Sequence, residues 1–435
     1  MENHSKFTRR NLLSGAASLA AAPAILAQRN PNDRIGVAAV GVGTRGIYLL
    51  QQAQECPNTE IRVICDLYDS NLKRAANTAW NKKAQTLKDW EKAVSSPDVD
   101  VVFIATPDFW HAPMTIRAAE MKKHVYVEKA LCRTLAEAKA IRKAVKDNKV
   151  VLQLGHHQNS DPYFTKAREI YRSGRLGRVT LVRTYIDRTS SWPEWQFYTA
   201  YNIQQTPQDA TSETIDWKRF VANAPEIPFD VQRFFRWRCW WEYGTGIAGD
   251  LMSHQWDGVN MIVGMGIPEA AQTMGGLYFW KQDREVPDQW HVMFEYPKKE
   301  MNITFACTFH NRHHGTNTYI FGREATLEVH TDWCRLYDAE WKPEYPRKLV
   351  AARQAAEAMG LPLGDAVVPP DYAMKKGELE VSDHIRNFID CVRSGQTPRC
   401  GIDRVWEEAV TVVMSVEACF KERKVKWDPV GEQFV

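Results

Sequence analysis

A glycine-rich turn placed directly after a short apolar run constrains the fold of this chain more than any other feature. The run IGVAAV is followed by Gly41, Gly43 and Gly46, which form the pattern G-x-G-x-x-G, and then by a helical pattern. In such a turn Gly41 allows the tight bend, Gly43 lets a pyrophosphate approach the backbone, and Gly46 lets the helix pack on the strand. The N-terminus of the helix then faces the phosphates. The stretch therefore predicts the first unit of a dinucleotide-binding fold.

An acidic residue supports this interpretation. Asp66 directly follows a second apolar run, IRVIC, and lies twenty residues after Gly46. A carboxylate in this position accepts hydrogen bonds from the adenosine ribose and repels a 2′-phosphate. Asp66 therefore favours NAD over NADP, and NADP is left open as the alternative cofactor.

Further apolar runs alternate with helical segments: VDVVFIATP, HVYVEKA and KVVLQLGHH. Continuous valine and isoleucine runs of this kind predict a parallel, doubly wound α/β sheet, in which ligands bind at the carboxyl ends of the strands. The predicted cofactor-binding residues are Gly41, Gly43, Thr44, Arg45, Gly46, Asp66, Thr106, Pro107, His111, Glu128 and Lys129. His156 and His157, at the end of the last run, are candidate substrate contacts. A solvated loop pair at Glu128-Lys129 and a surface turn at the two histidines are the structural alternatives.

The stretch YGTGIAGDLMSHQWDGVNMIVG predicts a helix from about Asp250 to Val263. Asp250 and His254 are i and i+4, so they lie on one helical face, and Asp257 is a spare carboxylate on roughly the same face. An imidazole beside a carboxylate that orients it is a candidate general base. The alternative is an Asp250 that caps the helix and a His254 that is simply packed.

Tryptophan is unusually frequent, with sixteen residues in the chain. Several are clustered, at positions 192 and 195 and at positions 237, 240 and 241. An aromatic face packs well on the apolar C–H face of a sugar ring, so Trp195 and Trp241 are candidate substrate contacts, with core packing as the alternative. His310, His313 and His314 have neither an acidic cluster nor a cysteine pair beside them, so no metal site is predicted.

The later part of the chain has a different pattern. DQWHVMFEYP, MNITFACTF and TYIFGREATLEVH alternate in strand fashion and predict a largely antiparallel sheet. Residues 341–380 have weak periodicity and predict a long irregular excursion. Residues 382–395 and 402–423 predict amphipathic helices.

The composition excludes some classes of protein. The formal net charge is +3, and without residues 1–24 it is +1, so no nucleic-acid partner is predicted. The nine cysteines include no C-x-x-C pair and are expected to be mostly buried free thiols, with one or two disulfides left open.

The first thirty residues resemble an export signal. Arg9 and Arg10 precede a modest apolar run from Gly15 to Ala22, and small residues at 22–24 suit cleavage. The pair predicts a twin-arginine signal read by the twin-arginine export machinery, with a general secretory signal as the alternative. No later segment approaches 18 apolar residues, so no membrane span is expected. The prediction is a protein that is periplasmic or otherwise outside the cytoplasm after signal removal.

These motifs, in this order, resemble one family. G-x-G-x-x-G at 41–46, ATPDFWHAP at 105–113, HVYVEKA at 124–130 and D-x-x-x-H at 250–254 are similar to the glucose–fructose oxidoreductase / inositol dehydrogenase / rhizopine catabolism (Gfo/Idh/MocA) family. The tail DHIRNFIDCVRSGQTPRCGIDRVWEEAV and VKWDP are also typical of it. The resemblance covers about residues 33–435.

The resemblance implies a domain order. A signal peptide at 1–30 would precede a Rossmann domain at 31–155, and an α+β domain at 156–435 would contain an open, mostly antiparallel sheet and the C-terminal helices. Because that sheet often pairs with another subunit in the family, a homo-oligomer, either a dimer or a tetramer, is implied. The family also implies that Lys129, Asp250 and His254 meet the substrate. One departure is Ala130, which stands where the family usually has proline.

The resulting functional prediction is an oxidoreductase that moves a hydride between a secondary alcohol of a sugar or glycoside and a tightly bound NAD(P). His254 is the expected base, Lys129 is expected to stabilise the alkoxide or relay the proton, and Asp250 to orient His254 or bind a sugar hydroxyl. The alternatives are an NAD-dependent glycosidase that acts through a transient keto-sugar and a non-catalytic sugar-binding protein of the same fold.

Overall fold

The computed structural model describes residues 34–195, 206–362, 368–375 and 384–435. The predicted signal peptide, residues 1–30, lies outside this part of the chain. The strands are β1 (Ile35–Val40), β2 (Thr59–Cys65), β3 (Gln85–Leu87), β4 (Val101–Ile104), β5 (His124–Val127), β6 (Leu152–Leu154), β7 (Val179–Ile186), β8 (Ala270–Gly276), β9 (Gln289–Tyr296), β10 (Met301–Thr308), β11 (Thr316–Gly322), β12 (Ala325–Val329), β13 (Trp333–Asp338), β14 (Tyr372–Lys375), β15 (Val425–Asp428) and β16 (Gln433–Phe434).

The helices follow the same chain order. They are α1 (Thr44–Glu55), α2 (Asp69–Thr78), α3 (Trp90–Ser95), α4 (Asp108–Glu120), α5 (Leu135–Asn148), α6 (Pro162–Arg172), α7 (Trp217–Phe220), α8 (Val231–Phe235), α9 (Ser253–Val263), α10 (Tyr345–Ala358), α11 (His384–Ser394) and α12 (Ile402–Phe420). A π-helical turn, Ala248–Met252, leads directly into α9, and short 3₁₀ turns lie at His157–Ser160, Val221–Asn223, Trp237–Cys239 and Pro297–Lys299.

The first domain is a parallel sheet with helices on both faces. Its strand order is β3-β2-β1-β4-β5-β6, and the register of every neighbouring pair is parallel. All six residues of β1 are buried, as expected for an apolar strand covered on both faces. The predicted doubly wound Rossmann domain is confirmed.

The second domain is built on a ten-strand sheet with the order β14-β13-β12-β11-β7-β10-β9-β8-β15-β16. Its neighbours pair antiparallel except β7 with β10, which pair parallel. Along β10 buried positions alternate with more exposed ones, because one face of the sheet packs on the core. The predicted mostly antiparallel sheet is confirmed.

The prediction of an irregular excursion over residues 341–380 is wrong in part. Helix α10 and strand β14 lie within this stretch, although 363–367 and 376–380 are outside the described residues. Of α10 only Ala356 is buried, so the helix has no apolar stripe for a periodicity search to find. Its alanine-rich sequence and the proline in its first turn favour the helix instead.

The C-terminal helices return to the first domain. Ile385, Phe388, Ile389 and Val392 of α11 belong to the same buried cluster as β1 and β4. The Phe388 ring meets Phe103 on β4 at 5.8 Å between centroids. Helix α12 packs on α5 and β6, which places its buried face beside the carboxyl end of β6.

Candidate active site

A cavity of about 690 Å³ lies between the carboxyl ends of the parallel strands and the second domain. This is the edge at which a doubly wound sheet binds its ligands. The predicted residues that line the cavity are Gly41, Gly43, Thr44, Arg45, Asp66, Thr106, Pro107, Glu128, Lys129, His157, Trp195, Asp250 and His254. The structure therefore brings most of the predicted cofactor and catalytic residues into one space.

The glycine-rich turn has the geometry of a phosphate cradle. Gly41 has a φ of +77°, and a Cβ at Gly46 would lie 1.8 Å from the Gly41 carbonyl oxygen, so neither position accepts a side chain without movement. A Cβ at Gly43, in contrast, would meet no described atom within 4 Å. Helix α1 starts at Thr44, and within the described residues no side chain caps its first turn. The open side of Gly43 and the amide groups of this turn fit a dinucleotide pyrophosphate.

Asp66 holds the turn in place from the end of β2. Its carboxylate accepts hydrogen bonds from the backbone amides of Val42 at 2.8 Å and Tyr68 at 2.9 Å, and from Asn71 Nδ2 at 3.3 Å. Burial raises the pKa of Asp66, and the three donors oppose that rise. Asp66 also lines the cavity, so its predicted contact with the ribose is compatible with this second role.

Lys129 and Asp250 form a largely buried ion pair between the two domains. Lys129 Nζ lies 2.5 Å from Asp250 Oδ1, and the Lys129–Ala130 peptide bond is cis. Arg238 Nε donates to the same oxygen at 3.0 Å, and Trp195 Nε1 donates to Asp250 Oδ2 at 3.0 Å. Burial alone would raise the pKa of Asp250, but the Lys129 and Arg238 charges hold it well below its ordinary value. Asp250 is therefore a carboxylate at neutral pH.

His254 lines the cavity one turn further along the chain. Its Nδ1 lies 3.3 Å from Nδ1 of His156. Burial and the positive charge of Lys129 hold the pKa of His254 well below its ordinary value. The ring is therefore neutral at pH 7, which is the state that a general base requires.

The prediction that Asp250 orients His254 is corrected by this geometry. The Asp250 oxygens bond to Lys129, Arg238 and Trp195, whereas His254 bonds to His156. The cause is the π-helical turn that contains Asp250, because its hydrogen bonds join residues five apart. Two residues four apart therefore no longer lie above one another as they do in an α-helix.

Several predicted residues lie outside the cavity wall. His111 is fully buried and bonds to the carbonyl oxygens of Ala130 at 2.5 Å and Thr106 at 2.8 Å, so it holds the ends of β4 and β5 rather than a ligand. His156 is also fully buried, behind His254. Gly46 lies beneath Gly41 and acts through packing.

The prediction for Trp241 is wrong as a cavity contact. Its ring packs against Phe420 at 4.9 Å and Trp290 at 6.5 Å between centroids, and it lies under Gly246. Proximity to the Gly244 turn in sequence does not fix the side of the chain on which an indole lies. Trp195, in contrast, faces the cavity and bonds to Asp250.

Some lining residues were missed from sequence. Arg188, Glu194, Trp237 and Arg238 line the end of the cavity that contains Asp250. Arg188 Nη1 lies 3.8 Å from Glu194 Oε2, and the Arg238 guanidinium lies 4.2 Å from the centre of the Trp237 ring. The cluster of tryptophans marked this part of the chain, but nothing in the sequence indicated that its arginine reaches Asp250.

A covering segment, residues 206–243, lines the cavity from Arg219 and Phe220 to Arg238 at the Asp250 end. It is tied to the β2–α2 loop by hydrogen bonds from Asp69 N to Thr214 O at 3.1 Å and from Asp216 N to Leu67 O at 2.9 Å. The Tyr68 hydroxyl donates to Asp209 at 2.6 Å. Cavity-lining residues of the segment include Arg219, Phe220, Phe234, Phe235 and Arg236. Cofactor bound here would be enclosed by both domains.

Other site types receive no support. Over the described ranges, no group of three or more His, Cys, Asp or Glu side chains is arranged to hold a metal ion. In the same part of the chain, every helix is too short or too polar to cross a bilayer. All nine cysteines are described, and no disulfide joins any two of them; eight are buried and Cys419 is half-buried.

The fold and site together define a class: a two-domain protein that binds a dinucleotide on a parallel sheet and faces it with an acid–base cluster. Two family profiles match the chain, "oxidoreductase family, NAD-binding Rossmann fold" over residues 35–156 and "oxidoreductase family, C-terminal alpha/beta domain" over residues 214–427. The chain belongs to the Gfo/Idh/MocA oxidoreductase family, and NAD is the cofactor of its first domain.

Curated relatives resemble part of the chain. Levoglucosan dehydrogenase of Pseudarthrobacter phenanthrenivorans is 34% identical over 138 residues, which are 31% of this chain and 35% of that protein. An uncharacterized oxidoreductase, YrbE of Bacillus subtilis, is 31% identical over 144 residues, which are 33% of this chain and 42% of that protein. A glycosyl hydrolase family 109 protein of Shewanella sp. is 34% identical over 112 residues, or 24% of each chain. The matched segments thus span less than half of these relatives.

Solved structures share the whole architecture. Levoglucosan dehydrogenase in complex with NADH and levoglucosan superposes with a TM-score of 0.64 at 20% identity, covering 91% of this chain and 99% of that one. Aldose-aldose oxidoreductase from Caulobacter crescentus, complexed with glycerol, gives 0.63 at 18% identity, covering 90% and 99%. At these identities the likeness concerns the fold.

Proposed function

We propose that this protein oxidises a secondary alcohol of a sugar or glycoside, with bound NAD as the hydride acceptor. The observation that carries the proposal is the convergence of Lys129, Asp250 and His254 on one cavity with the glycine-rich turn. The names of the relatives support the substrate class, since levoglucosan and inositol dehydrogenases are among them. The presence of Lys129, Asp250 and His254 together counts against a non-catalytic sugar-binding protein, because binding alone does not require this acid–base set.

The side chains divide the work of alcohol oxidation. NAD, when bound, supplies the group that accepts the hydride. His254, neutral at pH 7, takes the proton of the hydroxyl. The Lys129 ammonium stabilises the negative charge that develops on the oxygen, and Asp250 holds that ammonium in place at 2.5 Å. Trp195, fixed by its bond to Asp250, offers an indole for the sugar ring.

The proposal includes a cofactor that stays bound between turnovers. The covering segment supports this, because its hydrogen bonds to the β2–α2 loop hold its cavity-lining residues against the first domain. The cofactor would then be reoxidised in place by a second carbonyl substrate. One structural neighbour carries the name aldose-aldose oxidoreductase, which supports a cycle between two sugars.

Twin-arginine export, a location outside the cytoplasm and assembly into a dimer or tetramer belong to the same proposal. A retained cofactor suits export in the folded state, since free NAD is a cytoplasmic supply. Fusion of residues 1–30 to a reporter that is active only after export tests the first two points. Light scattering of the purified protein tests the third, and a monomer would contradict it.

A second candidate is an NAD-dependent glycosidase that acts through a transient keto-sugar. The likeness to glycosyl hydrolase family 109 proteins favours it. A cavity of about 590 Å³ that shares Arg188 and Glu194 with the main one offers room for an aglycone. Cleavage of a glycosidic bond without net reduction of the cofactor would identify this activity.

The test is reduction of the bound cofactor in a single turnover. Purified protein is mixed with monosaccharides, glycosides and non-sugar alcohols, and the absorbance of reduced nicotinamide is followed. His254→Asn and Lys129→Ala are each expected to slow the reaction by about 10²- to 10⁴-fold. Trp241→Phe, outside the cavity, is the matched control. Reduction by non-sugar alcohols alone would contradict the substrate class, and a normal rate in either active-site variant would remove that residue from the mechanism.

A further inference from the structure

Behind His254 lies a buried chain of polar groups that joins three elements of the fold. Nδ1 of His254, on α9, lies 3.3 Å from Nδ1 of His156, which follows β6. Nε2 of His156 lies 3.3 Å from Oε1 of Glu408 on α12. The side chains of His156 and Glu408 are 0% and 1% exposed. His156 was predicted from the sequence to contact the substrate, and Glu408 had no predicted role.

The second carboxylate oxygen of Glu408 is the unusual feature of this row of hydrogen-bonded side chains. Oε2 of Glu408 is buried and has no hydrogen-bond partner among the described residues. An unpaired buried carboxylate oxygen is costly, so its presence calls for an explanation. A positive charge that forms nearby during the reaction would supply one.

The donors and acceptors of His254, His156 and Glu408 allow two arrangements of the protons. Burial raises the pKa of Glu408, and the hydrogen bond and charge of His156 oppose that rise. In its ionised form Glu408 can only accept, so Nε2 of His156 donates to it. When His156 is neutral, its Nδ1 accepts a hydrogen bond from the Nδ1–H group of His254. Nε2 of His254 then carries a lone pair that can bind the substrate proton. When His156 is protonated, its Nδ1 donates, and the proton of His254 is on Nε2. The first arrangement makes His254 a base, and the second makes it an acid.

We propose that His156 and Glu408 are positioning residues that store the substrate proton behind His254. The inference rests on the proposed function. During oxidation the alcohol O–H bond breaks and an N–H bond forms at Nε2 of His254. The Nδ1–H bond of His254 breaks as an N–H bond forms at Nδ1 of His156, while the hydride goes to the NAD of the proposed function. The positive charge then lies on His156 beside Glu408, and the reverse transfer protonates the second carbonyl substrate.

The charges around His156 favour storage there. The titratable and charged groups that act on it from the packed elements are Glu408, Asp257, Lys129, His254, His157 and His384. Burial alone would lower the pKa of His156, but the Asp257 and Glu408 carboxylates outweigh it and raise the pKa above the ordinary value. The pKa of His254 is held well below the ordinary histidine value, so the proton moves from His254 to His156.

Asp257 is itself fixed, which separates its contribution from that of Glu408. Arg404 Nε donates to Asp257 Oδ1 at 2.7 Å, and Asn159 Nδ2 donates to Oδ2 at 2.6 Å. Both Asp257 oxygens are therefore satisfied. Glu408, with its single bond to His156, is the carboxylate that should respond to the charge on that ring.

The first test is the pH profile of single-turnover cofactor reduction by a sugar. The rate should rise with pH through the pKa of His156, because only the neutral ring leaves His254 as a base. Glu408→Gln should shift the profile to lower pH by about one unit or more, since it removes the opposite charge. Glu408→Asp should keep the profile near that of the parent. Ser415→Ala, two turns along α12 with its hydroxyl bonded to Val412 O, is the matched control and should leave the profile unchanged.

The second test does not use activity. Histidine labelled with ¹³C and ¹⁵N is titrated by NMR without sugar, and the His156 signal is assigned as the one lost in His156→Gln. A His156 pKa above the ordinary histidine value of about 6.5 supports the proposal, and a value at or below it overturns the proposal even if Glu408→Gln does not fold. An unshifted pH profile in a folded Glu408→Gln variant also overturns it. If no sugar reduces the cofactor at any pH, the proposed function fails, while the NMR titration still decides the pairing of His156 with Glu408.

Discussion

Two neighbouring glycines of the phosphate cradle should respond differently to the same substitution, one through cofactor binding alone and the other through both stability and binding. Gly43 has a φ of −64°, and a Cβ there meets nothing within 4 Å, so Gly43→Ala should change the free energy of unfolding by less than about 1 kcal/mol. The new methyl group nevertheless occupies the space where a phosphate would approach the backbone. Loss of about one charge-assisted amide hydrogen bond costs about 2 kcal/mol, or about thirtyfold in Kd for NAD.

Gly46→Ala should instead damage the fold. Its Cβ would lie 1.8 Å from the Gly41 carbonyl oxygen and 2.8 Å from the carbonyl carbon, so α1 must move away from β1. Overpacking of this size costs about 3 kcal/mol, and the binding of NAD is lost with the turn.

Urea unfolding of nucleotide-free protein and calorimetric titration with NAD separate the two effects. The expected result is Gly43→Ala with parental stability and weakened binding, and Gly46→Ala with loss of both. If Gly43→Ala binds NAD as tightly as the parent, the pyrophosphate does not pass over Gly43. If Gly46→Ala is as stable as the parent, the packing argument is wrong.

Three further predictions concern the ion pair, the covering segment and the sugar contact. Asp250→Asn should lower the free energy of unfolding by about 3 kcal/mol at pH 7, because it leaves the largely buried Lys129 ammonium without its charged partner. The folded-state pKa of Asp250 lies below the unfolded value of about 3.9. The stabilisation by the ion pair is therefore complete above about pH 3.9 and is lost as the pH falls through the folded pKa. Urea titrations should show a smaller difference in stability between the parent and Asp250→Asn at pH 3 than at pH 7. Asp209→Ala, which removes the Tyr68 contact, should speed release of bound NAD by about tenfold in a dilution assay, and an unchanged rate would mean that the segment does not retain the cofactor. Trp195→Ala should raise KM for sugars more than it lowers kcat, because it removes the aromatic face, and equal binding of every sugar would remove the stacking role.

Local sequence patterns were sufficient to predict the parts of the site that depend on only a few neighbouring residues. The run before Gly41, the spacing of the three glycines and the position of Asp66 follow from steric limits that act within a few residues. The same holds for the strand ends at Thr106 and Lys129, because the end of an apolar run is visible in the sequence.

Contacts between distant segments could not be predicted in this way. Trp241 is close to the Gly244 turn in sequence, but its ring packs on Phe420 and not against the cavity. The π-helical turn breaks the i, i+4 relation on which the predicted pairing of Asp250 with His254 was based. Glu408 meets His156 only because α12 returns to β6. No local pattern encodes such a return, which depends on how the whole chain packs.

The position of α11 also determines when the nucleotide-binding domain can complete its folding during synthesis. Phe388 fills the space beside Phe103 and Tyr126, so that core stays open while the ribosome is still making the second domain. Residues 34–155 on their own would expose the apolar surface that α11 covers. A nascent chain therefore completes its first domain almost last, and a fragment that stops before residue 384 should be a poor receptor for NAD even though it contains the entire glycine-rich turn.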